Sequence, residues 1–85
     1  MTTEQDNSSL VAMVEVIAKS LVDAPLEVSV ESKQGENTTV ILLKVAKTDI
    51  GKIIGKEGKT AKAIRTLLLG AATKLKRRAV LEIVE

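Results

Sequence analysis

Residues 51–60 read GKIIGKEGKT, a stretch in which three glycines and three lysines surround a pair of isoleucines. Glycine adopts backbone conformations that other residues avoid, and its missing side chain lets another molecule approach the chain closely. Lysine adds positive charge at the same place. The stretch therefore predicts a loop that brings the backbone close to an anion, and the flanking sequence decides which anion that is.

The best-known phosphate loop, the Walker motif, does not fit this stretch. Its pattern is G-x-x-x-x-G-K-[ST], and it follows a strand. The ending is present as GKT at residues 58–60, but Ile53 stands where the first glycine is required. The segment before the loop also has the pattern of a helix, which excludes a dinucleotide fingerprint as well. A nucleotide-hydrolysing enzyme is therefore disfavoured.

A G-x-x-G loop between two helices does fit, at Gly55, Lys56, Glu57 and Gly58. The helix that follows directs its first N–H groups and the positive end of its dipole at the same place. Such a loop can hold the sugar–phosphate backbone of a nucleic acid. The alternative is an ordinary turn in which Gly55 ends a helix. The basic residues around the loop favour the first interpretation.

Five residue types are absent from the chain: Cys, His, Phe, Tyr and Trp. Without cysteine and histidine, disulfides, ordinary zinc sites and nucleophile–histidine sites cannot form. We therefore expect no metal, no cofactor and no catalytic residue. Without aromatic rings there are no stacking platforms for bases, so a nucleic-acid-binding protein of this composition must use aliphatic surface, backbone groups and lysine.

Charge is divided unevenly along the chain. Residues 1–43 carry two positive and seven negative side chains, whereas residues 44–78 carry eleven positive and two negative ones. This indicates a basic face directed at a polyanion, although lysines can also serve only to solubilise helices. Residues 1–8 are polar and are expected to form a disordered tail rather than a signal peptide. No apolar run could span a bilayer, and we expect a cytoplasmic protein with no membrane partner.

The N-terminal half predicts one helix and a hairpin. The helix is capped by Ser8 or Ser9 and ends before Pro25. Its expected inward residues are Leu10, Met13, Val14, Ile17, Leu21 and Val22. Alternation over residues 26–32 predicts a half-buried strand whose inward side is formed by Leu26, Val28 and Val30. A short turn leads to a second strand at 38–45, which predicts an antiparallel hairpin.

The C-terminal half predicts two helices and a last strand. The first helix, residues 47–54, places Ile50, Ile53 and Ile54 on one face. The second, residues 59–76, has as its inward residues Ile64, Leu68, Ala71 and Leu75. A strand follows at 79–85. The αββααβ order predicts an α+β domain in which helices cover one face of a three-stranded sheet.

The segment VAKTDIGKIIGKEGKTAKAIRTLL, residues 45–68, resembles a KH domain, whose mark is I-G-x-x-G between two helices. The αββααβ order resembles the bacterial, type II arrangement of that domain. From about Ser9 to Glu85 the chain is similar to the small single-domain bacterial KH proteins of the KhpA family. We therefore expect a tail at 1–8 and a KH domain at 9–85.

The resemblance implies a protein that binds single-stranded RNA, about four nucleotides of it, in a groove beside the loop. It implies an RNA chaperone or post-transcriptional regulator, with a part in regulating cell shape or division. By position, the loop that meets the RNA backbone is Gly55, Lys56, Glu57 and Gly58. The expected apolar floor is Ile50, Ile53 and Ile54, supported by Leu43 and Val45. The candidates for flanking phosphate contacts are Lys52, Lys59, Lys62 and Arg65.

Two features of the predicted site have more than one interpretation. At least one isoleucine of the floor is expected to be pure core. Glu57 departs from the family, whose loops are usually basic at one or both positions between the glycines, and its carboxylate weakens the local positive field. The carboxylate could instead accept a hydrogen bond from the amino group of a base, or point to solvent.

Three consecutive leucines, residues 67–69, span about 200° of the predicted helix, which is wider than one core stripe. Leu68 follows the inward pattern, so Leu67 or Leu69 is expected to contact another protein, although a wide buried face explains the run equally well. The family resemblance implies a homodimer, or a heterodimer with a larger Jag-type KH protein. A protein-interaction adaptor with secondary RNA binding is therefore the competing hypothesis. The cations of KLKRR, residues 74–78, are interpreted first as partners of the helix dipole.

Overall fold

The computed structural model describes residues 3–84, with side chains from Ser8 onward. Its helices and strands are α1 (Thr3–Leu21), β1 (Ser29–Gln34), β2 (Thr39–Lys44), α2 (Ile50–Ile54), α3 (Lys59–Lys74) and β3 (Ala79–Val84). Single 3-10 turns precede β1, α2 and α3, at Pro25–Glu27, Lys47–Asp49 and Lys56–Gly58. The predicted αββααβ order and the α+β class are confirmed. No helix of the described part of the chain is long and apolar enough to cross a membrane.

The three strands form one sheet in the order β1-β2-β3. β1 and β2 pair antiparallel, with Val30 opposite Leu43, which confirms the hairpin. β2 and β3 pair in parallel, with Ile41 opposite Leu81. Parallel neighbours need a long connection, and here α2 and α3 supply it. β3 therefore ends up at the edge of the sheet, beside α3.

The core lies between one face of the sheet and the three helices. Its largest fully buried apolar side chains are Leu10, Val14, Ile41, Leu43, Ile53 and Leu68. Because the chain has no aromatic residue, this core is entirely aliphatic. Small buried residues complete it, at Ala18, Ala61, Ala72 and Ala79.

Two expectations for inward residues are wrong. Leu26 is 97% exposed, because Pro25 begins a 3-10 turn and the strand starts only at Ser29. Val28 and Val30 are half-buried, as predicted. Leu21 is exposed as well, since the buried stripe of α1 steps by four residues through Leu10, Val14 and Ala18.

Helix α1 begins at Thr3, earlier than the predicted cap at Ser8 or Ser9. The residues between Thr3 and Ser8 include no proline or glycine, so this stretch contains no helix breaker and the helix can extend through it. Met1 and Thr2 of the predicted tail lie outside the described residues. The division into a tail at 1–8 and a domain at 9–85 stays a prediction.

Candidate nucleic-acid interface

The loop between α2 and α3 contains two glycines whose backbone dihedral angles are unfavourable for other residues. Gly55 has φ 78° and ψ 174°, a region that is essentially closed to residues with a side chain. A Cβ at Gly55 would overlap the Thr60 side chain and lie 2.9 Å from the Thr60 backbone nitrogen. Gly58 is left-handed, with φ 76° and ψ 10°, although the space around it is open. The turn thus requires glycine at position 55 and favours it at position 58.

Few hydrogen bonds hold this loop, and all those found are local. The Gly55 N–H donates to the Gly51 carbonyl (2.8 Å), and the Gly58 N–H donates to the Gly55 carbonyl (3.1 Å). Gly58 occupies the N-cap position of α3, so no cap side chain accepts hydrogen bonds from the first N–H groups of that helix. Helix N-termini of this kind attract anions.

Charges of both signs surround the loop. Lys56, Glu57 and Lys59 are all exposed. The Glu57 carboxylate lies 3.9 Å from the Lys59 ammonium, and both side chains are largely in solvent. A surface ion pair of this kind is weak, so an incoming phosphate can compete for Lys59 at little cost. Glu57 itself has a left-handed backbone (φ 57°, ψ 25°), which makes it one of two non-glycine residues with positive φ in the described chain.

A groove runs from the loop along α3. Its first part, of about 330 Å³, is lined by Ile54, Gly58, Ala61, Arg65, Glu82 and Ile83. Its second part, of about 290 Å³, is lined by Arg65, Leu68, Leu69, Ala79, Val80 and Leu81. Arg65 belongs to both, so the two parts adjoin. α3 forms one wall and β3 the other.

The β3 wall was missed by the sequence analysis. The candidate residues came from the segments beside the loop, whereas Glu82 and Ile83 follow it by more than twenty positions. Their place depends on the parallel pairing of β3 with β2. Local sequence patterns contain no signal for that pairing, because a half-buried strand looks the same whichever neighbour it takes.

The three isoleucines of the predicted floor are separated by the structure. Ile54 is half-buried and lines the groove. Ile53 is 0% exposed and belongs to the core, the placement expected for at least one of the three isoleucines. Ile50 is half-buried and lines neither part of the groove. Leu43 and Val45 are buried in the same apolar core as Ile53.

The predicted flanking cations also differ from one another. Lys59, Lys62 and Arg65 are exposed on α3, and Arg65 lines the groove. Lys52 is placed differently: its ammonium lies 3.1 Å from the Asp23 carboxylate and 3.5 Å from that of Asp49. This lysine is therefore engaged by two carboxylates within the domain.

Asp49, which the sequence analysis did not single out as a site residue, is the buried member of that group. Its residue exposure is 1%, and its carboxylate accepts hydrogen bonds from the backbone N–H groups of Asp23 (3.2 Å) and Ala24 (3.0 Å). Burial alone would raise the pKa of Asp49, but these N–H groups and Lys52 outweigh it and hold that pKa below its ordinary value. The Lys52 pKa is raised, mainly by its hydrogen bond to Asp23.

The leucine run is resolved by the structure. Leu68 is buried, whereas Leu67 is 56% and Leu69 is 59% exposed. Leu69 lines the second part of the groove, and Leu67 lines neither part. Both flanking leucines are thus available to another molecule, and the interpretation as one wide buried face is wrong.

At its other end, α3 closes in a tight turn. The Arg77 N–H donates to the Ala72 carbonyl (2.8 Å), and the Lys76 N–H donates to the Thr73 carbonyl (2.9 Å). This is the Schellman pattern, with Lys76 at the left-handed position (φ 59°) that glycine usually occupies. The Arg77 guanidinium also donates to Gln34 Oε1 (3.1 Å), which ties the turn to the hairpin.

Comparison with known proteins identifies relatives for nearly the whole chain. A family model described as KhpA/KhpB, KH domain, matches residues 11–83. The RNA-binding protein KhpA of Clostridium acetobutylicum is 53% identical over 72 residues, which cover 85% of this chain and 96% of the relative. The RNA-binding protein KhpA of Chlamydia pneumoniae is 56% identical over 69 residues, which cover 81% of this chain and 88% of the relative.

Two solved structures of Era share the fold, each with a TM-score of 0.57 and 26% identity over 87% of this chain. One is Aquifex aeolicus Era bound to GDP·AlF4−, of which this chain covers 29%. The other is Era in complex with MgGDPNP and nucleotides 1506–1542 of 16S ribosomal RNA, of which it covers 28%. The chain thus spans less than a third of the length of those proteins.

Proposed function

Since this chain belongs to the KhpA/KhpB family of KH domains, we propose that it binds single-stranded RNA as an RNA chaperone or post-transcriptional regulator. About four nucleotides lie in the groove between α3 and β3, and the Gly55–Gly58 loop meets their backbone. The observation that carries the proposal is the position of this loop. It lies at one end of the groove, and Gly58 both lines the groove and occupies the N-cap position of α3.

Phosphate recognition is assigned to the loop and the first turn of α3. The uncapped N–H groups and the positive end of the helix dipole favour a negatively charged oxygen. Gly58 has open space around it, so a nucleotide can approach the backbone there. Lys56 and Lys59 are exposed beside it, and their ammonium groups can approach the phosphate. Binding a phosphate in this way requires only contact with these groups and no catalytic side chain.

Base recognition is assigned to the groove walls. With no aromatic ring in the chain, the bases pack on aliphatic surface such as Ile54, Ala61 and Ile83. β3 pairs with β2 alone among the described strands, so its outer edge keeps backbone N–H and C=O groups for base edges. Arg65, which lines both parts of the groove, can reach a base or a phosphate.

The names of the relatives support this assignment. The curated relatives are called RNA-binding proteins, and one of the Era structures contains a ribosomal RNA segment. The cytoplasm is the expected location. Without stacking platforms, and with a contact of about four nucleotides, we expect affinity in the micromolar range or weaker.

Binding of short single-stranded RNA by the purified protein, measured across a salt series, tests the proposal. Affinity should fall as salt rises, because each phosphate contact releases counterions and lowers the slope of log K against log salt by about 0.7. A duplex of the same sequence is the control and should bind more weakly. An absence of binding at low salt, or binding indifferent to salt, would mean that the groove is not an RNA site.

A second candidate function is an adaptor that works through dimerisation, with RNA binding secondary. The exposure of Leu67 and Leu69 on α3 favours it. The partner is a second copy of this chain or a larger Jag-type KH protein. Because Leu69 lines the groove and Leu67 does not, Leu67 is the better contact residue for a partner that leaves the groove open.

Sedimentation distinguishes the two leucines. The native chain should be a dimer at micromolar concentration, and Leu67→Glu should give a folded monomer, because an unpaired charge cannot be buried in an interface cheaply. Leu69→Glu is the matched control: it should leave the dimer intact and weaken RNA binding. A native chain that stays monomeric at high concentration excludes the homodimer and leaves pairing with another KH protein.

A further inference from the structure

The ion pairs of Lys52 join two parts of the chain that are distant in sequence. Lys52 lies in α2, three residues before Gly55, and Asp23 lies in the link between α1 and β1. The Lys52 ammonium is 3.1 Å from the Asp23 carboxylate and 3.5 Å from the Asp49 carboxylate. Asp49 in turn accepts the backbone N–H groups of Asp23 and Ala24. We call these four residues the clip.

The clip bears on the loop because α2 is very short. Five residues cannot form a stable helix alone, so α2 depends on its tertiary anchors. One anchor is Ile53, which is fully buried in the core. The clip is a second anchor, at the start of α2 and at Lys52. The Gly55 N–H bonds back to Gly51, so the orientation of α2 determines where the loop begins.

We propose that Lys52 is a positioning residue for RNA recognition and not a phosphate ligand. With Asp23 and Asp49 it holds α2 against the α1–β1 link, and through α2 it fixes the geometry in which the Gly55–Gly58 loop meets the RNA backbone. The inference rests on the proposed function, and it assigns to Lys52 a role different from that of Lys56 and Lys59.

Charge balance inside the clip supports this role. The Asp49 carboxylate is 1% exposed, and it needs its hydrogen bonds and its cation to stay ionised there. A phosphate that drew Lys52 away would leave that buried carboxylate without its ion-pair partner. Lys59 can leave its carboxylate partner at little cost, because its contact with Glu57 is a long ion pair in solvent, and Lys56 is exposed in the loop.

Asp23→Asn separates positioning from phosphate contact, because the two roles predict opposite signs. The Asp23 side chain is 81% exposed and lines neither part of the groove, and its backbone N–H to Asp49 is kept. If Lys52 positions α2, the variant should bind RNA about three- to tenfold more weakly with an unchanged salt slope. If Lys52 is a phosphate ligand held in reserve, releasing it should raise affinity and steepen the slope by about 0.7. The second result would overturn the proposal.

Lys52→Met provides the complementary measurement, with Lys62→Met as the matched control on α3. Lys52→Met should lower affinity without changing the salt slope, and Lys52→Arg should restore it. Lys62→Met should make the salt dependence less steep, by about 0.7 in the slope of log K against log salt, as expected for the loss of one phosphate contact. A less steep salt dependence of RNA binding in Lys52→Met would contradict a positioning role. Full RNA affinity in both Lys52→Met and Asp23→Asn would contradict it as well.

Amide hydrogen exchange of the RNA-free protein makes this test independent of the proposed function. The N–H groups of residues 55–59 should exchange faster in Asp23→Asn than in the native chain, while those of β2 are unchanged. Unaltered exchange in the loop would overturn the inference even if RNA binds. If faster exchange is seen but the native chain binds no RNA, the clip is upheld as the anchor of the loop and the proposed function fails.

Discussion

The two ends of α3 differ in how their terminal turns are held. At its N-terminus, the turn is made by Gly55 and Gly58, its hydrogen bonds are local, and no cap side chain covers the first N–H groups. At its C-terminus, Lys76 takes the left-handed position, and Arg77 ties the turn to the hairpin through Gln34. One end is open to a ligand, and the other is bound to the rest of the domain.

The difference teaches that a count of lysines does not locate an anion site. Both ends are rich in cations, with KLKRR at the C-terminal end. The helix dipole, however, is positive only at the N-terminus, whereas cations at the C-terminus are used to complement its negative end. Of the two ends of α3, the one at the Gly55–Gly58 loop is therefore where backbone groups and side chains can act together on a phosphate, as proposed.

The largest expected effect comes from reversing charge at the open end. Changing Lys56 and Glu57 together to aspartate places two carboxylates at the phosphate position. We expect RNA affinity to fall about a hundredfold, equivalent to the ~2–3 kcal/mol of a lost charge-assisted contact. The fold should survive because both side chains are exposed. Fluorescence anisotropy with a labelled oligonucleotide measures the affinity, and circular dichroism checks the fold.

Lys74→Asp is the matched control at the closed end, since it changes the net charge by the same two units. It lies fifteen residues along α3, about 22 Å from Lys59, which exceeds the Debye length at 0.1 M salt. We expect a loss of RNA affinity of threefold or less. Equal losses in the two variants would mean that the binding is a diffuse attraction to the basic half of the chain.

A smaller effect is expected from a methyl group at the first glycine. Gly55→Ala forces a side chain into φ 78°, ψ 174° and against Thr60. The cost is about 1–3 kcal/mol, which corresponds to a melting temperature lower by several degrees. Thermal unfolding of Gly55→Ala beside Gly51→Ala measures it, because a Cβ at Gly51 meets nothing within 4 Å. Equal stability of the two variants would contradict the loop geometry.

The smallest expected effect is a gain in stability at the C-terminal end of α3. Lys76 pays the left-handed strain that glycine avoids, so Lys76→Gly should stabilise the domain by up to about 1 kcal/mol. The melting temperature should then rise by a few degrees, with RNA affinity nearly unchanged. A lower melting temperature would show that the Lys76 side chain contributes more to this turn than its backbone costs.

How far the sequence predicted the fold depended on how local each signal was. Gly55 and Gly58 marked the turn because their backbone angles are accessible to glycine, and the helix pattern on each side placed the loop. Leu26 was misplaced because Pro25 changed the local structure from strand to 3-10 turn. Val28 and Val30, beyond that turn, kept the predicted half-buried placement.

The candidate site was predicted less completely, because its remaining parts are long-range. The hydrogen bonds of Asp49 reach residues 25 and 26 positions away, so Lys52 looked from sequence like any other lysine beside the loop. The β3 wall arises from strand pairing that no local pattern specifies. Ile53 and Ile54 are neighbours of the same residue type, and only the packing of α2 decides that one is core and the other lines the groove.

The most direct test of the central claim is an NMR titration of the native chain with a short single-stranded RNA, read at every backbone amide. We predict that the largest shifts lie at residues 55–61 and along β3, where the open end of α3 meets the groove. Shifts concentrated at residues 74–78, with the Gly55–Gly58 loop unaffected, would contradict the account.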